Sequence, residues 1–275
     1  MSTSTALDIV DQTPRIGSEI RTDVDTLLSG AAATTIRETL EQRGVVFFRG
    51  LGLTDGQQVT FAKTLGTIVE GEGEDGIYKV SFDKDVNARA DYLKGSMFWH
   101  FDGSVQPRPN LASILRAIRL SEVGGETEFA NTYAAYDDLP EDEKAALADV
   151  RVVHSAERSQ YYVRPEMSYQ EMVVWQKQPT KTCPIVWTHQ SGRKSLLLGA
   201  TADYVVGLGV EESRALLARL RDWSTQPKYV YQHQWQVGDL VIWDNTGTMH
   251  RVLPYADDSG RLMHRTILAG EEPLH

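Results

Sequence analysis

The sequence predicts a single α+β domain built on a β-sandwich or a double-stranded β-helix, and three observations predict it. Short apolar runs rich in β-branched and aromatic residues recur along the chain. Helical patterns are scattered among these runs and do not alternate with them strictly, so a purely parallel sheet is not expected. No internal repeat, Pro-rich linker or low-complexity run divides the chain, so one domain is expected over residues 1–275.

Taken in order, residues 1–14 are polar and read as a frayed end or a first short strand. Residues 35–43 carry Ile36 and Leu40 on one side and end at Gly44, the pattern of an amphipathic helix with a glycine stop. Val45–Phe48 is a continuous apolar run and reads as a buried strand. Thr54-Asp55-Gly56-Gln57 has capping-box spacing and starts a helix that runs through Phe61 to Leu65. Residues 70–75 are acidic and glycine-rich, hence a loop; 77–82 alternate, hence a strand; 83–95 are polar and read as a second loop. Residues 112–120 read as a strand, and Gly124-Gly125 as a turn into another. Residues 131–138 and 140–148 read as helices, the second with Pro140 and acidic residues at its start. Residues 151–154 read as a strand, and 161–181 as a long irregular aromatic insertion able to cover a site. A strand pair over 184–189 and 194–198, a helix over 210–223 with Leu216, Leu217 and Leu220 inward, and strands over 229–235, 239–243 and 262–268 complete the reading.

Composition narrows the function classes. The net charge of -10 argues against nucleic acid or an anionic membrane surface as the main partner. Cys183 is the single cysteine, so an intramolecular disulfide cannot form, which fits a reducing compartment. No apolar stretch is long enough to span a bilayer, and the first residues lack the basic and apolar regions of a signal peptide. A cytoplasmic protein is expected, and assembly into a homo-oligomer is compatible with this composition.

The stretch Trp99-His100-Phe101-Asp102 carries the first chemical signal. In an extended strand His100 and Asp102 point to the same side, so an imidazole nitrogen and a carboxylate oxygen converge. A third ligand must return from far along the chain, and His250 is the best candidate. Two histidines and one carboxylate on one face of a metal, with the other face open, form the facial triad of non-haem Fe(II) oxygenases. His154, His189, His233 and His264 read as structural or surface residues, since the triad needs two histidines. Arg108, Arg116 and Arg119 read as a solvated strand face.

These residues belong to a longer pattern. Trp99-His100-Phe101-Asp102, Val123-Gly124-Gly125-Glu126-Thr127-Glu128-Phe129-Ala130-Asn131, Tyr133-Ala134-Ala135-Tyr136, Gly238-Asp239-Leu240-Val241-Ile242-Trp243-Asp244-Asn245 and Arg261-Leu262-Met263-His264-Arg265 occur together and in this order. From about residue 44 to residue 270 the chain closely resembles the TauD/TfdA family of Fe(II)/2-oxoglutarate dioxygenases. The resemblance implies a jelly-roll double-stranded β-helix with flanking helices. It implies His100, Asp102 and His250 as ligands of Fe(II), and Thr127 and Arg261 as the clamp on the distal carboxylate of the cosubstrate 2-oxoglutarate. It implies O2 as the oxidant, succinate and CO2 as co-products, and Arg265 near the acidic group of a small organic acid.

The residue types suit these roles. A guanidinium gives a carboxylate two parallel hydrogen bonds, and a threonine hydroxyl adds a third. Asp102 leaves no ligand position for chloride, so hydroxylation is expected rather than halogenation. Phe98, Trp99 and Ser96 adjoin the ligand pair in sequence and are expected to border the substrate, with Tyr161, Tyr162 and Trp175 adding an apolar wall. Residues 70–75, 83–97 and 161–181 are expected to form a lid. Taurine enzymes of the family carry a His within the stretch matching 69–73 and an Asn just before the metal His; neither is present here, so taurine is not the expected substrate. Two other readings use the same residues: a zinc hydrolase on the same triad, and a catalytically silent binding module. Neither needs a dicarboxylate clamp.

Overall fold

Apolar β-branched and aromatic runs pair at the centre of the molecule, where both faces of a sheet must be covered. The computed structural model describes residues 7–71 and 73–274. It begins with strands β1 (Asp8–Asp11) and β2 (Ser18–Arg21), helices α1 (Val24–Leu28) and α2 (Ala33–Arg43), strand β3 (Val45–Phe48), helix α3 (Asp55–Leu65) and strand β4 (Tyr78–Val80). Helix α4 (Ala90–Leu93) and a single 3-10 turn (Lys94–Met97) lead to His100. Next come β5 (Ala112–Arg119), β6 (Thr127–Asn131), α5 (Thr132–Asp137), α6 (Glu141–Leu147), β7 (Arg151–Ser155), α7 (Ala156–Val163) and α8 (Tyr169–Gln176). Strands β8 (Thr180–Pro184), β9 (Val186–Thr188), β10 (Lys194–Leu196) and β11 (Ala202–Val205) precede helix α9 (Val210–Ser224). The chain closes with β12 (Val230–His233), β13 (Leu240–Asp244), β14 (Thr248–Val252) and β15 (Leu262–Leu268).

A seven-stranded sheet in the order β1-β2-β3-β13-β5-β15-β4 lies over a three-stranded sheet in the order β12-β6-β14. Phe47, Leu115, Val241 and Met263 from the first meet Phe129 and Tyr231 from the second, and this filled space is the interior of the double-stranded β-helix. On the outer face of the large sheet, Ile114, Ile242 and Leu268 pack against Ile36 and Leu40 of α2 and Phe61 and Leu65 of α3. On the outer face of the small sheet, Ala130 and Met249 pack against α5, β7, β10 and Leu220 of α9. Alternation along each strand therefore separates an inner set of side chains from an outer one.

The expected elements mostly form, for the reasons the sequence suggests. Gly44 ends α2 at φ 70, and Thr54 and Gln57 make both hydrogen bonds of a capping box at the start of α3. Five expectations need correction. Arg116, read with Arg108 and Arg119 as a solvated strand face, is buried, ion-paired with Asp55 and hydrogen-bonded to Gln58. The His-X-Asp stretch is not part of a strand: His100 makes one isolated bridge to His250, and Asp102 opens a turn. The polar stretch 83–95 holds α4 and runs into the 3-10 turn. The stretch 161–181 is largely helical, because Ser155 and Ser168 cap α7 and α8 and Glu171 completes a capping box with Ser168. Strands β2, β11 and β14 and helix α1 were not anticipated; β14, which carries His250, holds no long β-branched run to announce it.

One buried charge cluster pins the large sheet to β12. Asp239, fully buried, accepts from Arg49 at 2.5 Å, from His233 Nε2 at 3.1 Å and from the Gln236 amide at 2.8 Å. Burial pushes its carboxyl up, but His233, the Gln236 N–H and Arg49 together hold it below the usual value. The stabilisation is then present above the ordinary carboxylate range of roughly pH 4 and is lost as pH falls through the depressed folded value. Asp239→Ala strands Arg49 and His233 and should cost about 3–5 kcal/mol, read as a lower urea midpoint.

Candidate active site

His100 and His250 stand opposite each other across a two-residue antiparallel bridge. The His100 amide donates to the His250 carbonyl at 3.1 Å, and the His250 amide donates to the His100 carbonyl at 2.8 Å. The two rings lie 4.1 Å apart, centre to centre. His100 Nδ1 is 2.8 Å from the Phe98 carbonyl. A carbonyl only accepts, so Nδ1 carries the proton and Nε2 presents its lone pair. His250 is packed beside Trp243 and Phe129. Burial, with His100 beside it, drives His250 well below the ordinary imidazole value, so it is neutral.

Asp102 completes the cluster. His100 Nε2 lies 3.8 Å from Asp102 Oδ1, and His250 Nε2 lies 4.0 Å from Oδ2. One ligand atom from each residue falls within 4.8 Å of the others. These gaps are too wide for hydrogen bonds and fit a cation at about 2.0–2.2 Å from each atom. Burial pushes the Asp102 carboxyl up, but Arg265, the two imidazoles and the Ser113 hydroxyl outweigh it and hold it at about 2. Asp102 is also held in place: Trp243 Nε1 donates to Asn245, Asn245 Nδ2 donates to Ser113, and Ser113 Oγ donates to Asp102 Oδ2 at 3.1 Å. The donor set therefore fits a divalent metal.

Thr127 and Arg261 lie farther along the same interior. Thr127 shares the inner face of β6 with Phe129, the partner of His250 across the ladder. Two residues of strand separate them, roughly 7 Å. Thr127 Oγ1 accepts from Trp235 Nε1 at 3.0 Å, which leaves its own O–H free to donate. Arg261 is 3% exposed. Its Nη2 donates to the Gly125 carbonyl at 3.1 Å, its Nε is buried without a partner, and no carboxylate pairs with it among the described residues. A Cβ on Gly125, at φ +84, would sit 2.9 Å from that Nε, so the glycine makes room for the guanidinium.

Arg265 and Ser96 line a cavity of about 250 Å³ that also exposes His100 and Asp102. Arg265 Nη1 is 3.4 Å from Asp102 Oδ2, and its guanidinium lies 5.1 Å from the centre of the Tyr78 ring. Phe98 and Trp99 do not line this cavity. They face a second one behind the ladder, as does Tyr162: Trp99 because it is one residue from His100 across the bridge, and Phe98 because it leaves the 3-10 turn and packs on Tyr162. Trp175 reaches the catalytic cavity only indirectly, stacked on Tyr92, which lines it. The acidic loop 70–75 borders a separate surface groove with Asp55 and Lys63. Sequence reasoning missed Tyr78, Tyr92 and Gln160 of the cavity wall. Gln160 is 4% exposed, and its Nε2 has no partner. Its only signal was its place on a helix capped by Ser155.

A jelly roll that carries two histidines and a carboxylate on its inner face is the architecture of the non-haem metal oxygenases. Residues 8–267 match the family described as "Taurine catabolism dioxygenase TauD, TfdA family". The chain belongs to this family, and it is a 2-oxoglutarate-dependent dioxygenase. It is 38% identical over 263 residues to the alpha-ketoglutarate-dependent 2,4-dichlorophenoxyacetate dioxygenase of Burkholderia sp. (strain RASC), covering 88% of this chain and 87% of that one. It is 34% identical to the alkylsulfatase of Acinetobacter baylyi, over 94% and 84% of the two chains. Its fold superposes on AAD-2 in complex with Mn(II) and N-oxalylglycine with a TM-score of 0.84, at 32% identity and covering 98% and 100% of the chains.

Ser113→Ala removes a hydrogen bond to Asp102 without touching the cavity. Mn(II) affinity measured by calorimetry should fall about 10–100-fold, and unchanged affinity would mean that Ser113 does not position the carboxylate.

Proposed function

We propose that the chain hydroxylates an unactivated carbon of a small organic acid. In this reading His100, Asp102 and His250 hold Fe(II), Arg261 and Thr127 hold the distal carboxylate of 2-oxoglutarate, and Arg265 faces the acidic group of the substrate. The single observation that carries it is the buried Arg261 guanidinium with no carboxylate partner among the described residues. A buried cation without a counter-ion is costly, and a dicarboxylate cosubstrate supplies the counter-ion. The distance along β6 from Phe129 to Thr127 suits the length of a five-carbon chain. A hydrolase or a silent binding module has no use for this clamp. N-oxalylglycine differs from 2-oxoglutarate by an NH in place of a methylene, so the AAD-2 complex supports the same occupant.

Bound Fe(II), with 2-oxoglutarate and O2, supplies the oxidising power that inserts oxygen into a C–H bond as succinate and CO2 are released. The chain's own part is positioning. Asp102 is kept ionised and oriented by Ser113 and Arg265. His100 is fixed in one tautomer by the Phe98 carbonyl. With Asp102 engaged as a ligand, the Arg265 guanidinium is left to a second anion, and its Nε is already buried without a partner. Tyr78, Tyr92 and Ile267 give the apolar wall, and Gln160 offers an amide donor to a polar atom between the acid and the apolar body. Helix α4, the 3-10 turn and α7 cover this wall and act as the lid. The dichlorophenoxyacetate and phenoxypropionate named for two relatives fit the same description, an acid joined to an apolar ring, and the sulfate ester named for a third is likewise an anion. We place this single catalytic unit in the cytoplasm, acting on a small molecule rather than on nucleic acid; no helix among the described residues is long and apolar enough to cross a membrane.

Arg261→Ala should cost about 2–5 kcal/mol of cosubstrate binding, seen as a steep rise in the KM for 2-oxoglutarate in an assay of succinate release. An unchanged KM would place the clamp elsewhere. Arg265→Ala should raise the KM for the organic acid far more than that for 2-oxoglutarate. Equal turnover of a neutral substrate analogue by the unaltered enzyme would refute the role of Arg265.

A further inference from the structure

Trp99 and Arg251 are each one residue away from a proposed metal ligand, and they point to the opposite side of the ladder. There they border a second cavity of about 800 Å³, larger than the catalytic one. Its floor is the outer face of the β12-β6-β14 sheet, and its walls are α7 and α9. The segment Gly199-Ala200 separates the two spaces. Ala200 borders both and donates its amide to the Trp99 carbonyl at 2.7 Å.

The lining combines flat aromatic faces with four arginines and the carboxylates Glu128, Asp203 and Asp222, a balance of one positive charge. The Arg251 guanidinium lies 4.7 Å from the Trp99 ring centre, and Arg158 lies 4.9 Å from that of Tyr162. Tyr162 in turn packs 5.0 Å from Phe98. Arg251 is neutralised by Glu128 at 2.6 Å, and Arg221 by its neighbour Asp222 at 2.9 Å. Arg158 and Arg214 have no carboxylate partner among the described residues, and Arg158 Nε is buried with no acceptor at all. Arg214 is exposed and Arg158 half-buried, so the group that an anion in this aromatic cavity would complete is the unpartnered Arg158 Nε–H, with Arg214 as a second cation of the lining. The cavity falls within the range of small-ligand sites.

We propose that this cavity is a second binding site, distinct from the catalytic one, for an organic carboxylate with a flat apolar body. The carboxylate meets Arg158 and Arg214, and the body lies against Trp99, Phe98 and Tyr162.

The test uses the enzyme loaded with Mn(II) and N-oxalylglycine and the probe naphthalene-2-carboxylate, followed by quenching of tryptophan fluorescence. Saturable binding is expected. The double variant Arg158→Gln/Arg214→Gln should weaken it about tenfold or more, with thermal unfolding confirming that the variant is folded. Arg265→Gln, in the catalytic cavity, removes any binding of the probe there and should leave the component that depends on Arg158 and Arg214 unchanged. The proposal is overturned if the unaltered enzyme does not bind the probe, or if Arg265→Gln abolishes binding while the double variant retains it. It is equally overturned if naphthalene-2-carboxamide binds as well as the acid, or if inorganic phosphate alone competes as well as the acid, since the site would then not read an anion on an apolar body.

Discussion

The site depends on one small piece of backbone pairing. The mutual hydrogen bonds between His100 and His250 join segments far apart in the sequence, and nothing else in the ladder extends them. Because the pairing is antiparallel, the two imidazoles emerge side by side on the inner face, and Trp99 and Arg251 emerge on the other. Asp102 is brought to the same point by a turn, and is then held by a line of donors that starts at Trp243. The jelly roll supplies the rigid frame; this bridge decides where a metal can sit in it.

The electrostatics follow from the same frame. Cations are placed inside an acidic protein at two depths of one interior: Arg265 at the carboxylate ligand and Arg261 beyond it. Each is desolvated, and each has an N–H with no acceptor in the chain. Such groups are expensive to bury unless something completes them. Arg265 is paired with Asp102 and Arg49 with Asp239, whereas Arg261 has no carboxylate partner among the described residues. The contrast between these arginines marks which part of the interior is built for folding and which for ligands.

Much of this was legible in the sequence. The strong apolar runs Val45–Phe48 and Leu240–Asp244 form central strands, and the capping residues at Thr54 mark a helix start where expected. The metal cluster was legible because its members are chemically rare together. The cavity wall was not. Proximity in sequence assigned Phe98 and Trp99 to the substrate, yet one residue of extended chain turns Trp99 away from His100, and the 3-10 turn before Phe98 turns that ring onto Tyr162. Gln160 and Tyr92 reach the cavity from short helices in stretches that looked like loops, and no periodicity announces a helix of four to eight residues. Strand β14 was hidden because its inner side chains include His250, a polar residue, where an apolar core residue would stand.

One side of the catalytic cavity's wall comes from α4 with its 3-10 turn and from α7, segments outside the seven-stranded sheet, and the other side from β4 and β15 of that sheet. The helical side of the wall is therefore mechanically separable from the bridge that carries His100 and His250. Insertions, deletions and helix exchanges at residues 83–97 and 156–178 can redraw the shape of the acceptor while the bridge and its donor line stay put. A lineage built this way can diversify its diet without reinventing its chemistry, and a protein engineer can use the same seam.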